Sequence, residues 1–151
     1  MKIEAEIKNT KPMQPLNRAV VNILFTASWL DCLIARSLRP HGLTNPQYNI
    51  LRILNGSYPK GLSVLDIKSR MLDRSSNVSR LVEKLRVNGL VERLPHGSDR
   101  RMVTVVIAEP GKKMLQEIVL PTTGNAKDDP GNNMSEAELL ELAHLLDKFR
   151  E

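Results

Sequence analysis

The feature that most narrows the fold is a change of period at Gly89. Upstream of it, apolar side chains recur three and four residues apart. Downstream, two β-branched-rich runs flank a charged tip. Thr44-Asn45-Pro46-Gln47 is a capping box, with Thr44 as N-cap, Gln47 at N3 and a proline tolerated in the first turn. It predicts a helix that carries Ile50, Leu51 and Leu54 and stops at Gly56. Ser63-Val64-Leu65-Asp66 is a similar start for a short helix with Val64, Ile67 and Met71. After a tight Asp73-Arg74-Ser75 connection, a third helix is expected from about Ser76 to Asn88. Val78, Leu81, Val82 and Leu85 face its core, and Gly89 is its left-handed cap. Leu90–Leu94 and Arg101–Ile107 then form a β-hairpin around Pro95-His96-Gly97-Ser98-Asp99-Arg100. Three helices followed by a two-stranded hairpin make a winged helix-turn-helix. The expected class is therefore mainly α with a small β-hairpin wing (α+β).

The flanks are helical. After a polar leader ending at Pro15, a long helix runs to about Leu38, with Leu16, Val20, Ile23, Ala27, Leu30 and Ile34 on a narrow stripe. Phe25, Trp29 and Cys32 form a second apolar face at i, i+4 and i+7, and a helix apolar on two sides is expected to be buried on two sides. Beyond the hairpin a helix is expected from about Pro110 to Leu120, followed by an irregular stretch at 121–133 that is rich in Gly, Pro and Asn. Ser135-Glu136-Ala137-Glu138 is a third capping box, opening a last helix striped by Leu139, Leu142, Leu146 and Phe149. The two stripes read as intertwined dimerisation helices, with a pair of helices inside one chain as the alternative. The expected division is 1–40 for the N-terminal dimerisation helix, 41–109 for the winged helix and 110–151 for the C-terminal helices that complete the dimer layer.

At 151 residues, with 41% hydrophobic and 26% charged side chains, the chain suits one domain with a helical appendage. A single cysteine rules out a disulfide framework within the chain, and aromatics at 3% are too few for a single-strand stacking platform. No apolar run approaches the roughly 20 residues of a membrane span, and the N-terminus shows no apolar secretory segment, so a cytoplasmic location is expected. Charge is uneven. Residues 1–59 carry a net +4, residues 60–113 a net +6 and residues 114–151 a net −5. A basic middle fits a polyanion partner; the alternative is a solvated surface of mixed charge.

His41, His96 and His144 are scattered without ligand spacing, and no nucleophile triad, phosphate loop or dinucleotide fingerprint occurs, so no enzyme, metal or cofactor is expected. On the third helix, 100° per residue places Ser76, Arg80 and Glu83 outward, with Asn77, Ser79 and Lys84 on the flanks. Hydroxyl and amide side chains at a helix start, followed by an arginine, suit a helix in a DNA major groove; a merely solvated face is the alternative. At the hairpin tip Arg100 and Arg101 each supply a cation that can reach a narrow minor groove, and Asp99 can hold one guanidinium in place. Arg74, Lys68, Arg70 and Arg86 are phosphate contacts or solvated charges.

Three stretches carry a family resemblance: Leu43–Leu51, Ser75-Ser-Asn-Val-Ser-Arg-Leu-Val-Glu-Lys-Leu85, and Gly89–Arg93 through Ser98-Asp-Arg-Arg101 to Gly111. Over roughly residues 43–118 the chain resembles the MarR family, bacterial dimeric regulators named for multiple antibiotic resistance. The resemblance implies a cytoplasmic homodimeric repressor on a pseudo-palindromic duplex. Its helix at about 76–88 would enter the major groove and its wing at 95–101 the minor groove. Arg74, Ser75, Ser76, Asn77, Ser79, Arg80, Lys84, Asp99, Arg100 and Arg101 are the implied DNA-binding set, with Arg101 as the reaching residue. It also implies a pocket for a small aromatic or phenolic effector, placed here at Phe25, Trp29, Cys32 and Tyr48. Some relatives sense oxidants through a cysteine in the first helix, but Trp29 and Leu33 beside Cys32 predict an inert core thiol. Two departures stand out. Ile107-Ala108 replaces the usual Leu-Thr, which removes a helix N-cap, and 121–133 breaks the family's long fifth helix. The competing readings are a winged-helix protein–protein interaction module that does not bind DNA, and a sequence-independent architectural DNA binder.

Overall fold

The computed structural model describes residues 2–96, 99–121 and 129–151, with 96 and 99–102 described by backbone alone. Its elements, in order, are α1 (Ile3–Glu6), α2 (Pro15–Leu38), a 3-10 turn (Arg39–His41), α3 (Asn45–Ser57), α4 (Val64–Arg70), α5 (Val78–Val87), β1 (Val91–His96), β2 (Asp99–Ile107), α6 (Glu109–Glu117) and α7 (Glu136–Phe149). The expected class stands: a mainly helical chain with one antiparallel hairpin. All three capping boxes form, at Thr44/Gln47, Ser63/Asp66 and Ser135/Glu138, so α3, α4 and α7 each begin where their own i,i+3 side-chain pair satisfies the free N–H groups. Gly89 takes φ 71°, the left-handed turn that releases the chain from α5 into β1.

One core holds the winged helix together. Leu38, Ile50, Leu51, Leu54, Ile67, Val82, Leu85, Val91 and Val105 are each almost wholly removed from water. They come from α2's last turn, α3, α4, α5 and both strands, so the hairpin is bolted to the helices at its base. Val91 pairs with Ile107 at that base and Pro95 with Val103 towards the tip, with a register shift between Pro95 and His96. Leu62, just before α4, adds two backbone hydrogen bonds to Val105, of 2.8 and 2.9 Å, and so widens the sheet by one residue. The helix α6 ends at Glu117, three residues short of the expected Leu120. Its N-cap Ala108 makes no side-chain hydrogen bond, as the missing threonine implied, and Pro110 occupies the first turn. Lys112 of α6 places its ammonium 3.3 Å from the Tyr58 ring centroid and 3.2 Å from Glu109, tying α6 to the end of α3.

The flanking helices differ from expectation. In α2 only Leu38 is buried; Phe25 and Trp29 are 39% and 48% exposed, so its second apolar face is not covered within the chain. Cys32 is exposed and is not the core thiol expected from its neighbours. The physical reason is that α2 meets the lobe only at its C-terminal end, and α7 does not pack on its stripe. No residue of α7 is buried, and Leu139 and Leu142 are each 44% exposed. The segment Pro15–His41 is, by length and composition, apolar enough to cross a membrane. Its few polar residues are spaced along the helix, so the average stays apolar although no single apolar run is long. Of the expected irregular stretch 121–133, residues 122–128 lie outside the described residues, and 130–133 form a turn with Gly131 at φ 82°.

Two glycines mark close approaches. A Cβ at Gly111 would lie 2.3 Å from the Leu90 carbonyl oxygen, and one at Gly61 would lie 2.1 Å from a Thr104 methyl. Backbone cannot yield as a side chain can. Gly111→Ala is expected to lower unfolding free energy by about 1–3 kcal/mol. Gly56→Ala, on α3 where nothing lies within 4 Å, is expected to raise it by roughly 0.5–1 kcal/mol. Thermal and urea unfolding of the two variants checks both signs; a neutral Gly111→Ala would mean that α6 can shift away from β1.

Candidate nucleic-acid interface

The helix α5 presents its polar face because its apolar face is locked. Val78, Val82 and Leu85 are buried against α3, α4 and β1, which turns Ser79, Arg80 and Lys84 outward, all exposed. Among the described residues no carboxylate pairs with Arg80, Lys84 or Arg74, so their charges are available to an external anion.

The start of α5 departs from the sequence expectation by two residues. Ser76 and Asn77 precede the helix. Asp73 accepts from the Ser75 backbone N–H at 2.9 Å and hydroxyl at 2.6 Å, and from the Ser76 hydroxyl at 2.8 Å, which holds 73–76 in a turn. The Ser75 hydroxyl, followed by the Ser76 hydroxyl, keeps the Asp73 carboxyl below its ordinary pKa. Asn77 is then the N-cap, its side-chain oxygen accepting from the Arg80 N–H at 3.2 Å. The apolar spacing alone puts both on the helix, but Asp73 captures the Ser75 and Ser76 hydroxyls and delays the helix to Val78.

Glu83 does not simply face outward. Its carboxylate lies 2.7 Å from Arg86 on the same helix and 3.4 Å from Arg93 on β1, bridging the helix to the base of the hairpin. The hydrogen bond from Arg86 and the nearby Arg86 and Arg93 charges outweigh burial and hold the Glu83 carboxyl below its ordinary value. The strand β2 carries Asp99, Arg100 and Arg101 at its start, next to the tip; their side chains lie outside the described residues.

A second feature lies behind the helices. An open groove of about 1370 Å³ is lined by the end of α2, the start of α3 and the α4–α5 connection. Of the four residues expected to form an effector pocket, Cys32 and Tyr48 line it, and Phe25 and Trp29 do not. Arg36, Arg39 and Arg52 also line it, and no carboxylate pairs with them among the described residues. Sequence reasoning missed these three, although Arg36 and Arg39 lie four and seven residues after Cys32 on one helical face. Asn45 donates to the Asp31 carbonyl at 2.9 Å and to the Asp31 carboxylate, while its own Oδ1 is shut off from solvent and has no partner among the described residues. Asn49 accepts from the Leu72 N–H at 2.9 Å, and Asp73 both lines the groove and holds the turn before α5. The groove and the start of α5 therefore share a residue.

A model of the MarR family matches residues 41–102. The HTH-type transcriptional regulator TtmR of Methylorubrum extorquens is 35% identical over 75 residues, a match that covers 50% of this chain and only 37% of that relative's length. Two solved structures carry the fold further. BpsR of Bordetella bronchiseptica, whose DNA binding is described as regulated by 6-hydroxynicotinic acid, superposes with a TM-score of 0.75 at 19% identity, over 93% of this chain and 99% of that one. A cysteine-to-serine variant of MarR from E. coli, in complex with operator DNA, superposes with a TM-score of 0.71 at 23% identity, over 89% of this chain and 93% of that one. At such identities the two structures establish the fold, while the family model rests on the sequence of the winged helix itself. A MarR family model thus matches the winged-helix segment that carried the sequence resemblance, and the chain as a whole is similar in fold to these two solved structures.

Proposed function

We propose that this chain is a homodimeric regulator of transcription that binds a pseudo-palindromic duplex sequence-specifically, acts as a repressor and is released by a small aromatic or phenolic molecule. The observation that carries the reading is the face of α5. Ser79, Arg80 and Lys84 stand exposed, with no carboxylate partner among the described residues, on a helix whose other side is fixed in the core, immediately before a basic hairpin. The helix would lie in the major groove, where Arg80 can pair with a guanine edge and Lys84 and Arg74 can meet phosphates. Asp99, Arg100 and Arg101 at the start of β2 would enter the flanking minor groove. Ser75, Ser76 and Asn77 serve this reading by setting where α5 begins, which decides the register of Ser79 and Arg80 against the bases.

The dimer follows from the apolar faces that one chain leaves open. The exposed stripes of α2 and α7 would close on a second copy, making 1–40 and 110–151 the dimer layer around the 41–109 winged helix. Two half-sites then bind as one unit, with recognition helices about one helical turn of DNA apart. For the effector, the groove offers Tyr48 and apolar walls for an aromatic ring and three arginines for an acidic group. Because Asp73 lies on its wall, a ligand there would bear on the turn that sets the start of α5. DNA affinity would change by the ligand's differential affinity for the two arrangements.

Selection of bound sites from random duplexes tests the core of the reading, and a protein–protein module would enrich none. On the selected site, Arg80→Ala is expected to cost about 1–3 kcal/mol and to relax sequence preference. Arg101→Ala is expected to weaken binding mainly where the flanks are A·T-rich. Parental binding by both variants would sink the DNA reading. Leu142→Asp is expected to give monomers by sedimentation and to lose DNA affinity, since linkage of two half-sites disappears. Cys32 is the sole cysteine and stands on the groove wall, so its alkylation rate reports on occupancy. Aromatic acids that release DNA are expected to slow that alkylation over the same concentration range. Release without protection of Cys32 would place the effector elsewhere.

A further inference from the structure

The carboxylate of Glu83 lies where a DNA-binding surface gains nothing from negative charge, and this needs an explanation. It stands about 60° round α5 from Arg80 at 100° per residue, and it is 43% exposed. It holds Arg86 at 2.7 Å through hydrogen bonds from both Nε and Nη2, and Arg93 of β1 at 3.4 Å. A duplex with α5 in its major groove and the hairpin in its adjacent minor groove has one sugar–phosphate strand between those grooves. That strand passes over whatever joins the helix to the hairpin, and here the joint is Glu83 with its two guanidiniums, both partly exposed.

We propose that Glu83 is a specificity-determining positioning residue: it restrains Arg86 and Arg93 and cancels one of their two charges, which limits sequence-independent attraction to the phosphate strand and leaves discrimination to Arg80. The inference rests on the DNA-binding reading above. Its physics is that of counterion release. Each cation free to meet a phosphate steepens the fall of log affinity against log salt by about 0.9 and strengthens binding to every sequence alike. With the carboxylate in place the cluster contributes one net positive charge; without it, two. The ion pairs themselves are partly exposed and add little to folding stability, so charge and orientation are the terms that matter.

The test uses the full-length protein and the duplex selected from random sequence, with a scrambled duplex of equal length for comparison. Glu83→Gln keeps the shape and removes the charge. It is expected to bind the scrambled duplex several-fold more tightly, to steepen the salt slope by about 1, and to lower the ratio of specific to non-specific affinity. Glu83→Asp retains the charge on a shorter arm and is expected to restore the parental slope. A Glu83→Gln protein with the parental slope and ratio overturns the proposal. So does one that loses affinity for both duplexes, because Glu83 would then be serving the fold or the contact directly. A parent that binds neither duplex overturns the DNA reading itself, which separates the two failures.

Discussion

Everything that the surface offers depends on how α5 is buried. Val82 and Leu85 are wholly removed from water against α3 and the base of the hairpin, and Val78 nearly so. Burying a Val or Leu side chain contributes roughly 1.5–3 kcal/mol, so three on one short helix hold it firmly against rotation. With that face fixed, a 100° step per residue leaves no choice about where Ser79, Arg80 and Lys84 point. The same core also takes in Val91 and Val105, so α5 and the base of the hairpin are anchored together.

The carboxylates of this basic lobe work locally. Asp66 caps α4 with Ser63, Asp73 folds the turn before α5, Asp31 ties α2 to Asn45, and Glu83 joins α5 to β1. Each acts on a neighbour at close range in a half-exposed setting, where long-range attraction is screened but hydrogen-bond geometry persists. Among the described residues, Arg80 and Arg74 on one side and Arg36, Arg39 and Arg52 on the other have no such carboxylate partner, and the two groups face different spaces. Asp73 stands between them and connects the groove to the start of α5.

A closed winged-helix core beside two open apolar helices is an arrangement that calls for a second layer. The stripes on α2 and α7 have the spacing of helices that pack on helices, yet each keeps large side chains in contact with water. An isolated chain carries that exposed area as a cost, which the proposed association with a copy would remove. The membrane-like apolarity of Pro15–His41 has the same origin: a helix meant for contact on several sides must be apolar on several sides.

Much of the fold was legible in the sequence because the deciding interactions are short-range. The three capping boxes join residues three apart, Gly89 ends its own helix, and the switch to β-branched residues marks the hairpin, none of which depends on a distant partner. The polar face of α5 was legible for the same reason. Where α5 begins was not, because a helical Ser76 and an Asp73-bound Ser76 are both local options, and the packed chain selects the second. Nor could the sequence assemble the groove. Tyr48, Arg52 and Asp73 meet Arg36 and Arg39 only because α2 docks its last turn, through Leu38, onto the lobe. Glu83 and Arg93 are likewise ten residues apart and on different elements, joined by the turn at Gly89. Sequence determined which elements form and which of their faces are polar; tertiary packing decided which charges meet, because that depends on distances between elements that no local pattern encodes.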